Sequence, residues 1–267
     1  MEKISSIQNP RIKNLKKLDK SSERKAQNLI LIEGLREVIL AQRAGYQIET
    51  VFICAEILKT TEDYSIKELK RSEKEIPVIE ITESVYRSVA YRDSTEGILA
   101  TARPKSHTLE RLNLKETPLI LVIEAVEKPG NLGAMLRTAD AAGADAVIIC
   151  DPKTEVYNPN VIRSGVGTVF TNQIAICETH EAIRFLKAKK IITYAAELTA
   201  VHYHFQKNFT QPTALVVGTE ATGLSEEWMT AADEHVKIPM LGYIDSLNVS
   251  VSAAVLLFEA VRQRQIQ

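Results

Sequence analysis

Leu119-Ile120-Leu121-Val122-Ile123-Glu124-Ala125 decides the fold together with the residues after it, a turn containing Pro129 and Gly130 and a helical pattern over residues 131–142. Five apolar residues in a row, with no polar alternation, predict a strand buried on both faces. Outward from it the same alternation recurs. Strands are expected at Ala146 to Cys150, Gln173 to Ile176, Ile191 to Ala196 and Thr213 to Gly218. Helices are expected near Pro159 to Ser164, Glu181 to Lys189, Glu226 to Ala232 and Ser246 to Arg264. Apolar strands separated by helices define an α/β fold with a parallel sheet covered on both faces. Upstream, Leu29 to Ile32, Thr50 to Cys54, Pro77 to Ile81 and Gly97 to Ala102 read as strands, with helices through Val38 to Ala44 and around residues 63–73. Polar residues 105–117 read as a linker between a domain of residues 1–104 and one of residues 118–267.

Composition narrows the function. The 267 residues are 45% apolar and 25% charged, which fits a globular protein and excludes a disordered one. Lys plus Arg number 33 against 34 Asp plus Glu, so any nucleic-acid surface must come from local clustering. Residues 1–28 supply such a cluster, with eight basic side chains, Arg24 among them, against three acids. Ile12, Leu15 and Leu18 give that segment an apolar stripe and a basic outer face, which is equally the pattern of a plainly solvated helix. No apolar run approaches the ~18 residues of a membrane span, and the first residues hold no export signal, so a cytoplasmic protein is expected. Cys54, Cys150 and Cys177 are far apart, and His202 and His204 lack the spacing of a zinc helix, so no metal is expected.

In such a sheet, ligands bind where loops leave the carboxyl ends of strands. Three loops stand out. In the first, Gly130-x-x-Gly133 opens a helix that places Arg137 on its second turn near the mouth; it is neither GxGxxG nor Walker A. In the second, Val217-Gly218-Thr219-Glu220-Ala221-Thr222-Gly223-Leu224-Ser225, the glycines allow a ligand to approach the backbone closely, or simply make a tight turn before Ser225 caps a helix. The third runs from Ile238-Pro239-Met240 to Ser246-Leu247-Asn248, whose polar residues serve a site or cap the closing helix.

Together these loops resemble the signature motifs of the SpoU (TrmH) family of RNA ribose 2′-O-methyltransferases, in the SPOUT superfamily. Asn131-Leu132-Gly133-Ala134-x-x-Arg137-Thr138-Ala139 resembles the first motif and Val217-Gly218-Thr219-Glu220-x-x-Gly223-Leu224 the second. Ile238-Pro239-Met240-x-Gly242-x-x-x-Ser246-Leu247-Asn248-Val249-Ser250 resembles the third, and all three occur in the family's order. Glu127-Lys128-Pro129-Gly130 departs from the Asp-Pro common before the first motif. The resemblance implies a trefoil-knotted C-terminal domain, a homodimer, and an N-terminal L30e-like domain that binds the RNA substrate. It implies S-adenosylmethionine as cofactor, held by Leu198, Thr199, Gly218, Glu220, Gly223, Ile238, Pro239, Met240, Leu247 and Asn248. It also assigns catalysis to Arg137, supported by Asn131, Glu220, Ser246 and Asn248.

The implied substrate is 23S rRNA, with tRNA, or a non-catalytic RNA-binding role on the same fold, as alternatives. Arg11, Lys13, Arg36 and Arg163 are the expected RNA contacts, with Arg87 and Arg92 further candidates. The lack of obvious stacking aromatics points to recognition of RNA shape over unstacked strands. In the family the counterpart of Arg137 takes the hydroxyl proton. A guanidinium has a pKa above about 12, so stabilising the developing alkoxide or gripping a phosphate stays open as its role.

Overall fold

The computed structural model describes residues 2–58, 76–91 and 96–265, so the helix expected near residues 63–73, and Arg92, lie outside the described residues. The chain packs as two units, Met1–Lys105 with Val156–Thr171, and Ser106–Glu155 with Asn172–Gln267.

In the first unit, β1 (Glu2–Ile4), β2 (Ile30–Glu33), β3 (Ile48–Ile53), β4 (Val78–Ile81) and β5 (Ile98–Ala102) form a sheet in the order β1-β4-β3-β5-β2. It is mixed, because β5 runs antiparallel to both β2 and β3. Just before β5, Gly97 (φ +75°) passes close to the end of β3: a Cβ there would stand 2.8 Å from the Leu58 nitrogen, so the position requires glycine. The helices are α1 (Pro10–Lys17), α2 (Ser21–Gln27), α3 (Leu35–Arg43) and α4 (Glu83–Val89). Asn9 caps α1 by accepting from the Arg11 N–H at 2.9 Å, and Pro10 follows in the first turn, where its missing N–H costs nothing. Ile12, Leu15 and Leu18 are buried, as their spacing requires. Arg24 is buried too, donating to the Leu18 and Asp19 carbonyls at 2.7 and 2.8 Å, so it is absent from the expected basic face.

The second unit holds β6 (Leu119–Glu124), β7 (Ala146–Cys150), β8 (Ile174–Cys177), β9 (Ile192–Ala196), β10 (His202–Tyr203), β11 (Thr213–Val217) and β12 (Glu234–Lys237). Their order is β10-β12-β9-β11-β6-β7-β8, and every pair is parallel. Its helices are α5 (Pro129–Ala141), α7 (Thr179–Ala188), α8 (Glu226–Ala231) and α9 (Val249–Gln265), while α6 (Pro159–Ser164) belongs to the first unit. α9 packs on α5, β6 and β11, and α7 packs with α8, β7 and β9, giving one helical layer on each face. Ile120, Val122, Ile148, Val216 and Trp228 fill the core on one side. The stretch expected as a linker packs as part of this unit, with Leu109 buried and Leu112 and Leu114 against the same core. The His107 carbonyl accepts from the Ile176 N–H at 2.9 Å.

Near its carboxyl end α9 is tied down by two side chains: Gln263 accepts from the Phe209 N–H at 2.8 Å and donates to the Lys207 carbonyl at 3.0 Å. Arg264 donates to the carbonyls of Phe209, Thr117, Pro118 and Gln211 at 2.8 to 3.1 Å. Burial lowers its pKa from the ordinary arginine value.

Candidate functional site

β6 and β11 are neighbours, yet the chain leaves β6 for β7 on one side and β11 for β12 on the other. Such a reversal opens a crevice at the carboxyl ends of the strands, the general ligand position in doubly wound sheets.

Side chains from three loops meet there. Asn131, in the first turn of α5, donates from Nδ2 to Glu220 Oε1 at 3.1 Å. Asn248 donates from Nδ2 to the same oxygen at 2.5 Å and to Asn131 Oδ1 at 3.2 Å. The other end of Asn248 caps α9: its Oδ1 accepts from the Ser250 N–H at 3.0 Å and the Ser250 hydroxyl at 2.6 Å. Asn248 therefore caps α9 with its oxygen and meets Glu220 and Asn131 with its nitrogen. Lys128, just before α5, pairs with Glu220 Oε2. That hydrogen bond, with help from Asn131, holds the Glu220 carboxyl below its usual range.

Behind this cluster lies Glu124, the buried last residue of β6. It accepts from the Ser225 N–H and hydroxyl at 2.8 and 2.6 Å and from the Thr179 hydroxyl at 3.0 Å, fixing the starts of α8 and α7. Sequence reasoning passed over Glu124 and Lys128. The available signal for Glu124 was a lone charge ending an apolar strand.

Gly218 serves the turn reading of its loop. A Cβ on it would meet the Gly223 carbonyl oxygen at 2.2 Å, within a turn closed by Thr219 N–H to Gly223 O at 2.9 Å, so the chain's own turn needs this glycine. Gly223 (φ +69°) faces open space where a Cβ would stand.

Arg137 and Ser246 are not part of the three-residue cluster. α5 begins at Pro129, which moves Arg137 to its third turn. Six residues past Asn131, it lies roughly 240° around the helix and about 9 Å along it. It is exposed and makes no ion pair among the described residues. Ser246 donates to Asp245 Oδ1 at 3.2 Å. Of the remaining expected residues, Leu198 is exposed, and Thr199 donates from N and Oγ1 to Glu197 at 2.7 and 2.6 Å. Ile238, Pro239, Met240 and Leu247 are half-buried after β12. Lys13, Arg36 and Arg163 are exposed in the first unit, and Arg11 pairs with Glu2 at 2.7 Å.

The loops after β9, β11 and β12 leave adjacent parallel strands, so the chosen segments share one end of the sheet. The backbone groups of residues 239–247 make no hydrogen bond among the described residues and are available to a ligand. Beside them lie exposed Leu198, Leu241 and Ile244. Backbone N–H and C=O groups suit the polar edges of an adenosine, and apolar side chains suit the carbons around its sulfonium, so the residues fit S-adenosylmethionine.

Fold and site thus define a doubly wound α/β protein whose three loops bring Asn131, Glu220 and Asn248 together at the reversal of its sheet. Residues 118–258 match the SpoU rRNA Methylase family, and residues 9–100 match the MRM3-like substrate binding domain. The Bacillus subtilis 23S rRNA (guanosine(2553)-2′-O)-methyltransferase RlmP is 30% identical over 259 residues, 97% of this chain and 98% of that protein. A crystal structure of an RNA 2′-O ribose methyltransferase superposes with a TM-score of 0.86 at 38% identity, covering 98% of this chain and 99% of that one. An AdoMet-bound rRNA methyltransferase from Sinorhizobium meliloti gives 0.87 at 27% identity, covering 98% and 97%. The chain belongs to the SpoU rRNA methylase family.

Proposed function

We propose that this chain transfers a methyl group from S-adenosylmethionine to a ribose 2′-hydroxyl of 23S rRNA. The observation that carries the reading is the convergence of Asn131 and Asn248, from the first and third motifs, on one carboxylate oxygen of Glu220, from the second, at the sheet's reversal. A non-catalytic relative has no need of that arrangement. Leu198, Thr199, Gly218, Gly223, Ile238, Pro239, Met240 and Leu247 hold the cofactor through backbone groups and apolar contact, and Glu220 and Asn248 border it. When bound, S-adenosylmethionine supplies a methyl group on a sulfonium, already a good leaving group. The protein's task is then to hold the 2′-oxygen in line and offset the charge that develops on it. The Arg137 guanidinium supplies that positive charge, at the oxygen or at the adjoining phosphate. Ser246 lies on the same loop as Asn248 and helps orient the hydroxyl.

The match of residues 9–100 to a substrate binding domain supports RNA contacts from the first unit, with Arg11, Lys13, Arg36 and Arg163 on phosphates. The working form is a cytoplasmic homodimer. Exposed apolar side chains on α9 and the loop before it (Leu241, Tyr243, Val251 and Phe258) support that assembly. The trefoil knot of the SPOUT fold accords with α9 packing against α5, β6 and β11. No helix among the described residues is long and apolar enough to cross a membrane, and none of their side chains cluster as a metal site.

Calorimetric titration tests the cofactor: one S-adenosylmethionine per chain, with binding weakened in Glu220→Ala. Mapping 2′-O-methyl groups in rRNA and tRNA from a deletion strain tests the substrate. A methyl group lost from 23S rRNA is expected. Loss from tRNA alone would move the assignment, and no loss in either would return the chain to a binding role.

A further inference from the structure

The first unit contains a cavity of about 280 Å³ bounded by α1, β2, the end of α4 and α6. Its floor is apolar, formed by Leu15, Leu31 and Ile162. Tyr91 forms a wall, 46% exposed and held at both ends. Its N–H donates to Glu33 Oε2 at 2.7 Å, and its hydroxyl accepts from Asn160 Nδ2 at 2.7 Å. The ring is thus set before any ligand arrives, which lowers the entropic cost of using it. Lys16 and Arg163 stand on the rim, with Asp19 and Glu33.

An aliphatic floor, a fixed aromatic wall and two rim cations match a flat heteroaromatic ring joined to phosphates. The volume lies just under the roughly 300 Å³ at which small-molecule pockets begin, enough for one base and too little for a stack. A-form duplex cannot enter, since its bases are stacked and paired; an unstacked base can, and stacking on an aromatic ring is the usual means of holding one. The rim carboxylates add acceptors for base N–H groups and disfavour an acidic peptide. We propose that this cavity receives one unpaired nucleobase of the RNA, so that substrate choice depends on a second, unstacked nucleotide besides the one methylated. The proposal rests on RNA being the substrate, and it modifies the expectation of recognition by shape alone: Tyr91 is a stacking platform that the sequence did not reveal.

The test is fluorescence anisotropy of the full chain with a short single-stranded oligoribonucleotide and with a duplex of the same sequence. Tyr91→Ala should weaken single-strand binding roughly 5- to 150-fold, leave duplex binding unchanged and leave the calorimetric titration of S-adenosylmethionine unchanged. Tyr91→Phe should bind within about twofold of the unaltered chain, because the face that stacks is kept. Lys16→Gln and Arg163→Gln should each flatten the salt dependence by about one phosphate contact. If Tyr91→Ala binds single strands as the unaltered chain does, or loses both RNAs equally, the cavity does not hold a base. Failure of the unaltered chain to methylate any RNA would defeat the functional reading itself, whereas methylation that is insensitive to Tyr91→Ala would defeat the cavity proposal alone.

Discussion

Asn248→Asp separates the two jobs of one side chain. The new carboxylate keeps the oxygen that caps α9 and adds negative charge at a helix amino terminus, worth about 0.3–1 kcal/mol. It loses both amide donors and faces Glu220 across a gap that measures 2.5 Å in the native pair. Unit charges about 4 Å apart in water repel by about 1 kcal/mol, and the exposed cluster is close to that limit. The two lost amide hydrogen bonds cost about 0.5 kcal/mol each besides, so the net loss is about 1–1.7 kcal/mol and the melting temperature should fall by about 2–7 °C, less than for alanine. Asn248→Ala instead loses the cap, about 1 kcal/mol, and two exposed hydrogen bonds at about 0.5 kcal/mol each. Its expected fall is about 4–8 °C. Function should rank the other way. Alanine leaves Glu220 tied to Asn131 and Lys128, whereas aspartate pushes it off Asn131 and competes for Lys128. Thermal unfolding, cofactor calorimetry and single-turnover methyl transfer make the comparison. Full cofactor affinity and rate in Asn248→Asp, or an Asp variant as unstable as Ala, would refute the reasoning.

Arg264→Met should destabilise the chain by about 2–4 kcal/mol in urea unfolding, because four carbonyls lose a charged donor; a change below about 0.5 kcal/mol would count against the anchoring role. Glu259 is held down to about 2 by Arg262, with Gln263 assisting. Its folded pKa lies below the ordinary value of 4.5, so its contribution is present at neutral pH and fades as pH falls from 4.5 toward 2; Glu259→Gln should cost stability at pH 7 and little near pH 2. Arg137→Ala should abolish methyl transfer while keeping fold and cofactor affinity. Arg137→Lys distinguishes roles: appreciable transfer with weaker RNA binding marks a phosphate clamp, and inactivity at saturating RNA marks a need for the planar fork. Gly218→Val should lower the melting temperature even without cofactor, because its Cβ collides with the Gly223 carbonyl; a variant that melts like the unaltered chain and fails only in cofactor binding would show that the ligand, not the turn, requires this glycine.

The buried strands were legible because burial on both faces leaves an unmistakable residue pattern. Leu119–Ile123 and Thr213–Val217 are apolar or nearly so, and both are buried throughout. β12, Glu234-His235-Val236-Lys237, has one apolar residue and owes its conformation to pairing with β9 and β10. Strand direction in the first unit was equally hidden. The residues of β5 would suit either direction, and only its pairing with β2 and β3 shows that it runs antiparallel to both. At the site, motif order brought out Asn131, Glu220 and Asn248, but Lys128 sits where the chain departs from the family pattern. Arg24 looked like another surface cation, since nothing in its neighbours signals that two carbonyls would take it inside.

Asn248 also explains why site and fold are hard to separate here. Its oxygen starts α9 and its nitrogen anchors Glu220, so the first turn of that helix and the carboxylate's position are one arrangement. A ligand that binds only the assembled cluster stabilises the helix start by mass action, with its concentration relative to Kd setting the amount. The reverse holds by the same cycle: weakening the helix start lowers ligand affinity without removing a direct contact. Arg264 anchors the other end of α9 to carbonyls beside the starts of β6 and β11, the two strands whose far ends form the crevice. The helix therefore spans the sheet from its amino edge to the site, and its two polar ends fix both. An apolar helix alone would be free to slide along the sheet, since its packing is non-directional. Directional bonds at each end remove that freedom, and they keep Asn248 within hydrogen-bonding distance of Asn131 and Glu220.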